Sequence, residues 1–192
     1  MPTIYLILSQ TGTLPSRAFK QITRQPFNHL SISLNQDLTL LYSFARRTPH
    51  NPFNAGFIQE CLRTGTFASF PQTQCQIYKL DITQAQYCQL TSLIQHFETY
   101  AHQYNYNFAG LLFLWAKIPI SRDNHYVCSQ FVGYLLEQIH IPLPKPYTLL
   151  LPTDIRELPQ LRLWYEGYLY DYPFLTPSPQ PYLVKNRNIR LK

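Results

Sequence analysis

The sequence predicts one globular domain that mixes strands with helices, and three observations carry that expectation. Residues 29–44 alternate apolar and polar side chains with the period of two that marks strands. Residues 83–102 and 126–139 instead repeat their apolar positions at three- and four-residue steps, the helical spacing. The composition is 45% hydrophobic and only 14% charged, enough to bury a core and too apolar for a disordered chain. At 192 residues the chain suffices for one sizeable domain or for one domain plus an appendage. The expected division is a domain over 1–170 and a Pro-rich, basic extension over 171–192.

Ile4–Leu8 reads as a short buried strand, ended by the turn signal Ser9-Gln10-Thr11-Gly12. Leu14–Ile22 is expected to be a short helix, with Thr13 as N-cap and Pro15 in its first turn. A hairpin follows. Leu30, Ile32 and Leu34 share one face of its first strand, and Leu38, Leu40, Tyr42 and Phe44 share one face of its second, around the turn Asn35-Gln36-Asp37. A three-residue loop pairs Leu34 with Leu38 and Leu30 with Tyr42, and sets His29 opposite Ser43 on the polar face. Arg46–Gly56 reads as an irregular rim loop, Phe57–Leu62 as a short helix or strand, and Gln74–Ile82 as a strand. Thr83-Gln84-Ala85-Gln86 is a capping box opening a helix to about His102, with Leu90, Leu93, Ile94, Phe97 and Ala101 on its buried stripe. A second apolar helix runs through Trp115. The helix behind Cys128 runs to about Ile139, with Phe131, Val132, Leu135 and Leu136 inward. After the Pro142–Pro146 linker, Thr153 is expected to cap a helical turn through Leu158, and Leu161–Leu169 reads as a final strand.

The net charge of +6 reflects few acids rather than a continuous basic patch, so a nucleic-acid partner is not expected. The run Lys185–Lys192 reads as a solvated terminus rather than an RNA or lipid anchor. Met1-Pro2-Thr3 leads directly into an apolar strand without a basic n-region, so a cytoplasmic protein is expected. The longest apolar run, Phe108–Ala116, is too short to span a bilayer. The four cysteines have neither CxxC spacing nor metal-ligand spacing; no disulfide framework, metal or cofactor is expected.

Cys128 stands apart because a helix beginning near Tyr126 or Val127 would hold it in its first turn. In a first turn the free backbone N–H groups and the positive end of the helix dipole favour a thiolate. An isolated buried cysteine is ordinarily a small hydrophobe. It becomes a nucleophile when a histidine can take its proton and a third group orients the imidazole. His29, on the polar face of the hairpin, is the candidate base, and it precedes the cysteine by about a hundred residues.

His29-Leu30-Ser31-Ile32 resembles the H-x-[small]-[aliphatic] strand of the circularly permuted NlpC/P60 group of papain-like proteins. Tyr126-Val127-Cys128-Ser129-Gln130-Phe131-Val132 resembles its C-S-[EQ]-F-V helix start, and Leu151-Pro152-Thr153-Asp154-Ile155 its Pro-x-Asp-[aliphatic] segment. The likeness runs over roughly residues 3–158 and extends to small bacterial proteins with the Tyr42–Phe44 strand and the Asn51–Phe57 loop. It implies an α+β, permuted papain-like fold with an antiparallel sheet or open barrel against the cysteine helix. It also implies Cys128 as nucleophile, His29 as base, and cleavage or transfer of acyl groups through a thioester. The substrate would be a small-molecule, peptide or lipid-like amide or ester. Relatives often carry Glu or His as the orienting residue; the hairpin register puts Ser43 there. His125, three residues before Cys128, is an alternative positive neighbour or oxyanion donor, and Tyr126 a weaker one. A binding module with a weakened site is the competing reading.

Overall fold

Strand propensity and alternation produce a single mixed sheet of eight strands, seen in a computed structural model that describes residues 1–10, 25–48, 51, 54–63, 65–116 and 118–175. The strands are β1 (Thr3–Gln10), β2 (His29–Ser33), β3 (Leu41–Arg46), β4 (Ala55–Glu60), β5 (Gln74–Asp81), β6 (Asn105–Tyr106), β7 (His125–Tyr126) and β8 (Arg162–Tyr168). Their spatial order is β7-β6-β4-β3-β2-β1-β5-β8. Neighbours are antiparallel except β6 and β7, which run parallel. The helices are α1 (Gly65–Ser69), α2 (Gln84–Thr99), α3 (Phe108–Trp115) and α4 (Cys128–Gln138). The architecture is α+β. The expected helix over 14–22 and the basic tail lie outside the described residues.

One face of the sheet carries the main core. Ile4, Leu6 and Leu8 of β1, Leu30 and Ile32 of β2, and Phe44 of β3 are fully buried there. They pack against Leu90, Ile94 and Phe97 of α2 and Phe131, Val132, Leu135 and Leu136 of α4. Phe44 makes edge-on or tilted contacts with Phe97, Tyr126 and Phe131 at 5.1–6.1 Å between centroids, geometries aromatic pairs favour. A smaller cluster on the other face joins Tyr5, Ile7, Leu38, Leu41, Cys75 and Ile77 to Phe67 of α1, Leu169 and Tyr172.

The capping box at Thr83 forms as expected: Thr83 Oγ1 accepts from the Gln86 N–H at 3.2 Å and Gln86 Oε1 from the Thr83 N–H at 2.9 Å. Residues 57–60 lie in strand β4, which begins at Ala55, while Cys61 and Leu62 fall beyond its end. The helical turn Pro152–Glu157 is capped by Asp154, whose Oδ2 accepts from the Leu151 N–H at 2.6 Å, and not by Thr153. Asp154 also pairs with Lys145 at 3.0 Å, tying the Pro-rich linker to the turn.

The hairpin register departs from the expectation by two residues. Ile32 pairs with Tyr42 and Ser33 with Leu41. The turn is longer than three residues and is held by Asn35, whose Oδ1 accepts from the Leu40 N–H at 3.0 Å and whose Nδ2 donates to Thr39 Oγ1 at 2.6 Å. Leu38 takes a left-handed conformation (φ 57°) and drops into the smaller cluster, while Leu40 turns 37% exposed. A slip of two keeps every side chain on its face, so alternation alone could not distinguish the two registers.

Candidate active site

Cys128 is the first residue of α4, and its placement follows from the elements before it. The parallel pairing of β6 with β7 sets Tyr106 beside Tyr126, and β7 runs through Val127 directly into the helix. Val127 is extended (φ −89°, ψ 166°) and has no side-chain acceptor, so the cap comes from inside the helix. Gln130 Oε1 accepts from the Val127 N–H at 3.1 Å, and its Nε2 donates to the Thr148 carbonyl at 3.0 Å. Ser129 Oγ donates to the Leu150 carbonyl at 2.5 Å. Ser129 and Gln130 thus tie the helix start to the segment 148–150. Gly133 allows that segment to approach; a Cβ there would sit 2.9 Å from Tyr147 Cβ. The first-turn N–H groups have no intrahelical acceptors, so they form a positive end beside the Cys128 sulfur.

His29 opens β2 with its side chain 16% exposed, and α4 packs against both β2 and β3. Its Nε2–H donates to Glu60 Oε1 at 3.0 Å. Ser31 Oγ donates to the same carboxylate oxygen at 2.5 Å and lies 3.2 Å from Nε2. Cys128 lies near enough to the ring to favour its protonated form. Phe67 of α1 covers the ring at 6.4 Å between centroids.

The electrostatics follow from this packing. Burial alone would lower the His29 pKa; attraction by the Glu60 carboxylate, with hydrogen bonds to Cys128 and Glu60, outweighs it and raises the value to about 10. Burial likewise opposes the charge on Glu60, and its carboxyl is still held below its ordinary value by His29, Ser31 and Ser43. At neutral pH the pair is imidazolium and carboxylate. Tyr106, beside Cys128, has its phenol pKa raised by burial and by the cysteine's negative charge, and so stays a neutral donor.

The structure brings together Cys128 and His29, and it adds Glu60. Glu60 sits at the end of β4, opposite Leu41 of β3 and on the same sheet face as Ser33, and is 7% exposed. Ser43 was expected to orient the histidine. The observed register removes it from that position. Its hydroxyl is buried beside the Glu60 carboxylate, contributes to the depressed carboxyl pKa, and makes no hydrogen bond of ordinary geometry. His125 points back into its own turn, donating from Nδ1 to the Asp123 carbonyl at 2.7 Å. Tyr126 packs in the core against Phe44 and Phe97. Cys75 is buried, with its thiol pushed up to about 12 by burial and by Glu166, while Cys61 and Cys88 are exposed.

Glu60 and Tyr106 belong to no motif read in the sequence; strand pairing makes them neighbours of His29 and Cys128. Among the described residues no group of three or more His, Cys, Asp or Glu side chains is arranged to hold a metal ion. No described helix is long and apolar enough to cross a membrane. No known protein family and no curated protein matches the chain.

Proposed function

We propose that the chain is a thiol-dependent hydrolase or acyltransferase of the permuted NlpC/P60, papain-like type, acting on an amide or ester through a thioester at Cys128. The observation that carries this reading is the histidine set between two partners: His29 is hydrogen-bonded to the buried Glu60 carboxylate at 3.0 Å, and Cys128 is near enough to help raise the imidazole's pKa. A buried acid is costly unless paired, and a pair at a helix-start cysteine has a chemical use that core packing does not.

In the proposed reaction the Cys128 proton is taken up by the His29 imidazole, and the thiolate attacks the substrate carbonyl carbon to form a C–S bond. The resulting oxyanion is met by the α4 N-terminus and the Tyr106 hydroxyl, both uncharged donors. Collapse breaks the C–N or C–O bond, and His29 gives its proton to the departing nitrogen or oxygen. Water, or an acceptor amine or alcohol, then attacks the thioester with His29 as base, which releases the acyl product and restores the thiol. Glu60 holds the ring's orientation and stabilises the imidazolium without taking the proton.

The competing reading, a binding module with a weakened site, drew its support from a serine in the orienting position; Glu60 supplies the acid that reading lacked. The test is to incubate the protein with a panel of amide, ester and thioester acyl donors and map adducts by mass spectrometry. An acyl adduct on Cys128 that is lost in Cys128→Ala and His29→Ala supports the proposal. An absence of Cys128 adducts across a panel spanning peptide, small-molecule and lipid donors contradicts it.

A further inference from the structure

Ser31 lies two residues from His29 on the same strand, so alternation puts both side chains on one face of β2. Its hydroxyl has one proton, and that proton goes to Glu60 Oε1 at 2.5 Å. The oxygen's remaining capacity is to accept, and the nearest N–H is His29 Nε2 at 3.2 Å. Both contacts converge on the carboxylate oxygen that takes the His29 hydrogen bond at 3.0 Å. The three side chains therefore form a closed triangle in which Ser31 gives to the acid and receives from the base. Glu60 has three side-chain torsions and reaches His29 from β4, two strands away in the sheet. A second fixed donor on the same oxygen confines the carboxylate to the one orientation that faces the imidazole.

We propose that Ser31 is a positioning residue of the site, locking the Glu60 carboxylate against His29 and so setting how tightly the imidazolium is held. The inference rests on the thiol-enzyme reading for its purpose, but its geometry is independent of any reaction. Removing the hydroxyl leaves a buried carboxylate with one donor fewer, which favours the neutral acid and weakens its hold on the protonated ring. Ser33 is the internal control. It is equally buried on the same face of the same strand, and its hydroxyl donates instead to the Asn35 carbonyl at 2.9 Å.

The experiment titrates His29 by NMR of its Cε1–H group in the full chain, alongside the alkylation rate of Cys128 at each pH. In Ser31→Ala the His29 midpoint should fall by about one unit or more, the size expected on losing a hydrogen bond to a charged group. Ser31→Thr, which keeps the hydroxyl, should restore the midpoint, and Ser33→Ala should leave it where the wild type has it. Circular dichroism confirms that each variant is folded before it is compared. A Ser31→Ala midpoint that moves no further than that of Ser33→Ala overturns the proposal. If Cys128 takes no acyl group from any donor but the midpoint still falls in Ser31→Ala, the positioning role stands and the enzyme reading fails. If Cys128 is acylated and both midpoint and alkylation rate are unchanged in Ser31→Ala, the enzyme reading stands and the positioning role fails.

Discussion

Leu30, Ile32 and Phe44 on one face of the hairpin and Ser31, Ser33 and Ser43 on the other are all fully buried, yet the two faces answer to different physics. The first is an apolar layer under α2 and α4, where each side chain stabilises by leaving water. The second seats, beside the smaller apolar cluster, hydroxyls, an imidazole and a carboxylate, groups that lose hydration on burial and recover part of it in the contacts of His29 and Ser31 with Glu60. A protein selected for stability alone gains nothing by placing Glu60 there, since well-packed apolar groups commonly do as well as a buried ion pair. On the proposed reading the buried polar groups of the second face serve the chemistry, while the main core on the first face serves folding.

The largest contrast comes from two residues of α4, one at the candidate site and one in the main core. Cys128→Ala should reduce thioester chemistry by ~10⁴-fold or more while shifting Tm little, because a small side chain is traded for a slightly smaller one. Phe131→Ala should do the reverse: about 3–5 kcal/mol of stability lost in denaturant melts, with acylation of Cys128 per folded molecule retained.

Next in size is Glu60→Gln, which keeps shape and removes charge. The His29 midpoint should drop from about 10 toward or below its ordinary 6.5, since burial then acts unopposed by the carboxylate. Cys128 alkylation at neutral pH should slow by ~10- to 100-fold as the imidazolium disappears. Stability carries the same signature. A histidine whose pKa is raised on folding stabilises fully below 6.5, and that contribution is lost as pH rises from 6.5 through about 10. The lowered Glu60 carboxyl contributes above 4.5, and its share is lost as pH falls through its depressed value. Wild-type stability minus that of Glu60→Gln, measured by urea melts, should therefore be greatest between 4.5 and 6.5 and shrink on either side. The smallest effect is expected for His125→Ala: less than about twofold in Cys128 acylation, because its ring is turned to the Asp123 carbonyl in an exposed turn.

The two faces also differed in how readably they were written. Apolar periodicity located α2, α4 and the core residues Leu90, Phe97, Phe131 and Leu135, because burial of a stripe is a local property of sequence. It also put Leu30, Ile32, Tyr42 and Phe44 on one face as observed, but the register expected from it was wrong by two residues and Leu38 lies in the opposite cluster. What chose the register was the hydrogen-bonding of Asn35 and the left-handed Leu38, which hydrophobic patterning does not encode. Cys128 and His29 were found by residue type, helix position and resemblance. Glu60 was missed because β4 reads locally as Ala-Gly-Phe-Ile-Gln-Glu, with nothing to show that its last residue reaches two strands across. A usable clue existed: acids number only ten in the whole chain, and a Glu closing an apolar strand needs a buried partner. Tyr106 was unreadable for the same reason, since it comes near Cys128 through its parallel pairing with Tyr126 across the α3 crossover.

The central claim is that Cys128, His29 and Glu60 act as one chemical unit, and competitive thiol labelling tests it most directly. Cys61 and Cys88 are exposed, while Cys128 is 6% exposed and Cys75 1%, so accessibility alone ranks Cys128 behind the two surface thiols. A limiting dose of a small neutral alkylating agent at pH 7, followed by mass mapping, reads the order. The account predicts that Cys128 reacts first, and that His29→Ala or Glu60→Gln drops it behind Cys61 and Cys88. Labelling that follows exposure in the wild type, with Cys128 no faster than the surface cysteines and unmoved by either substitution, would contradict it.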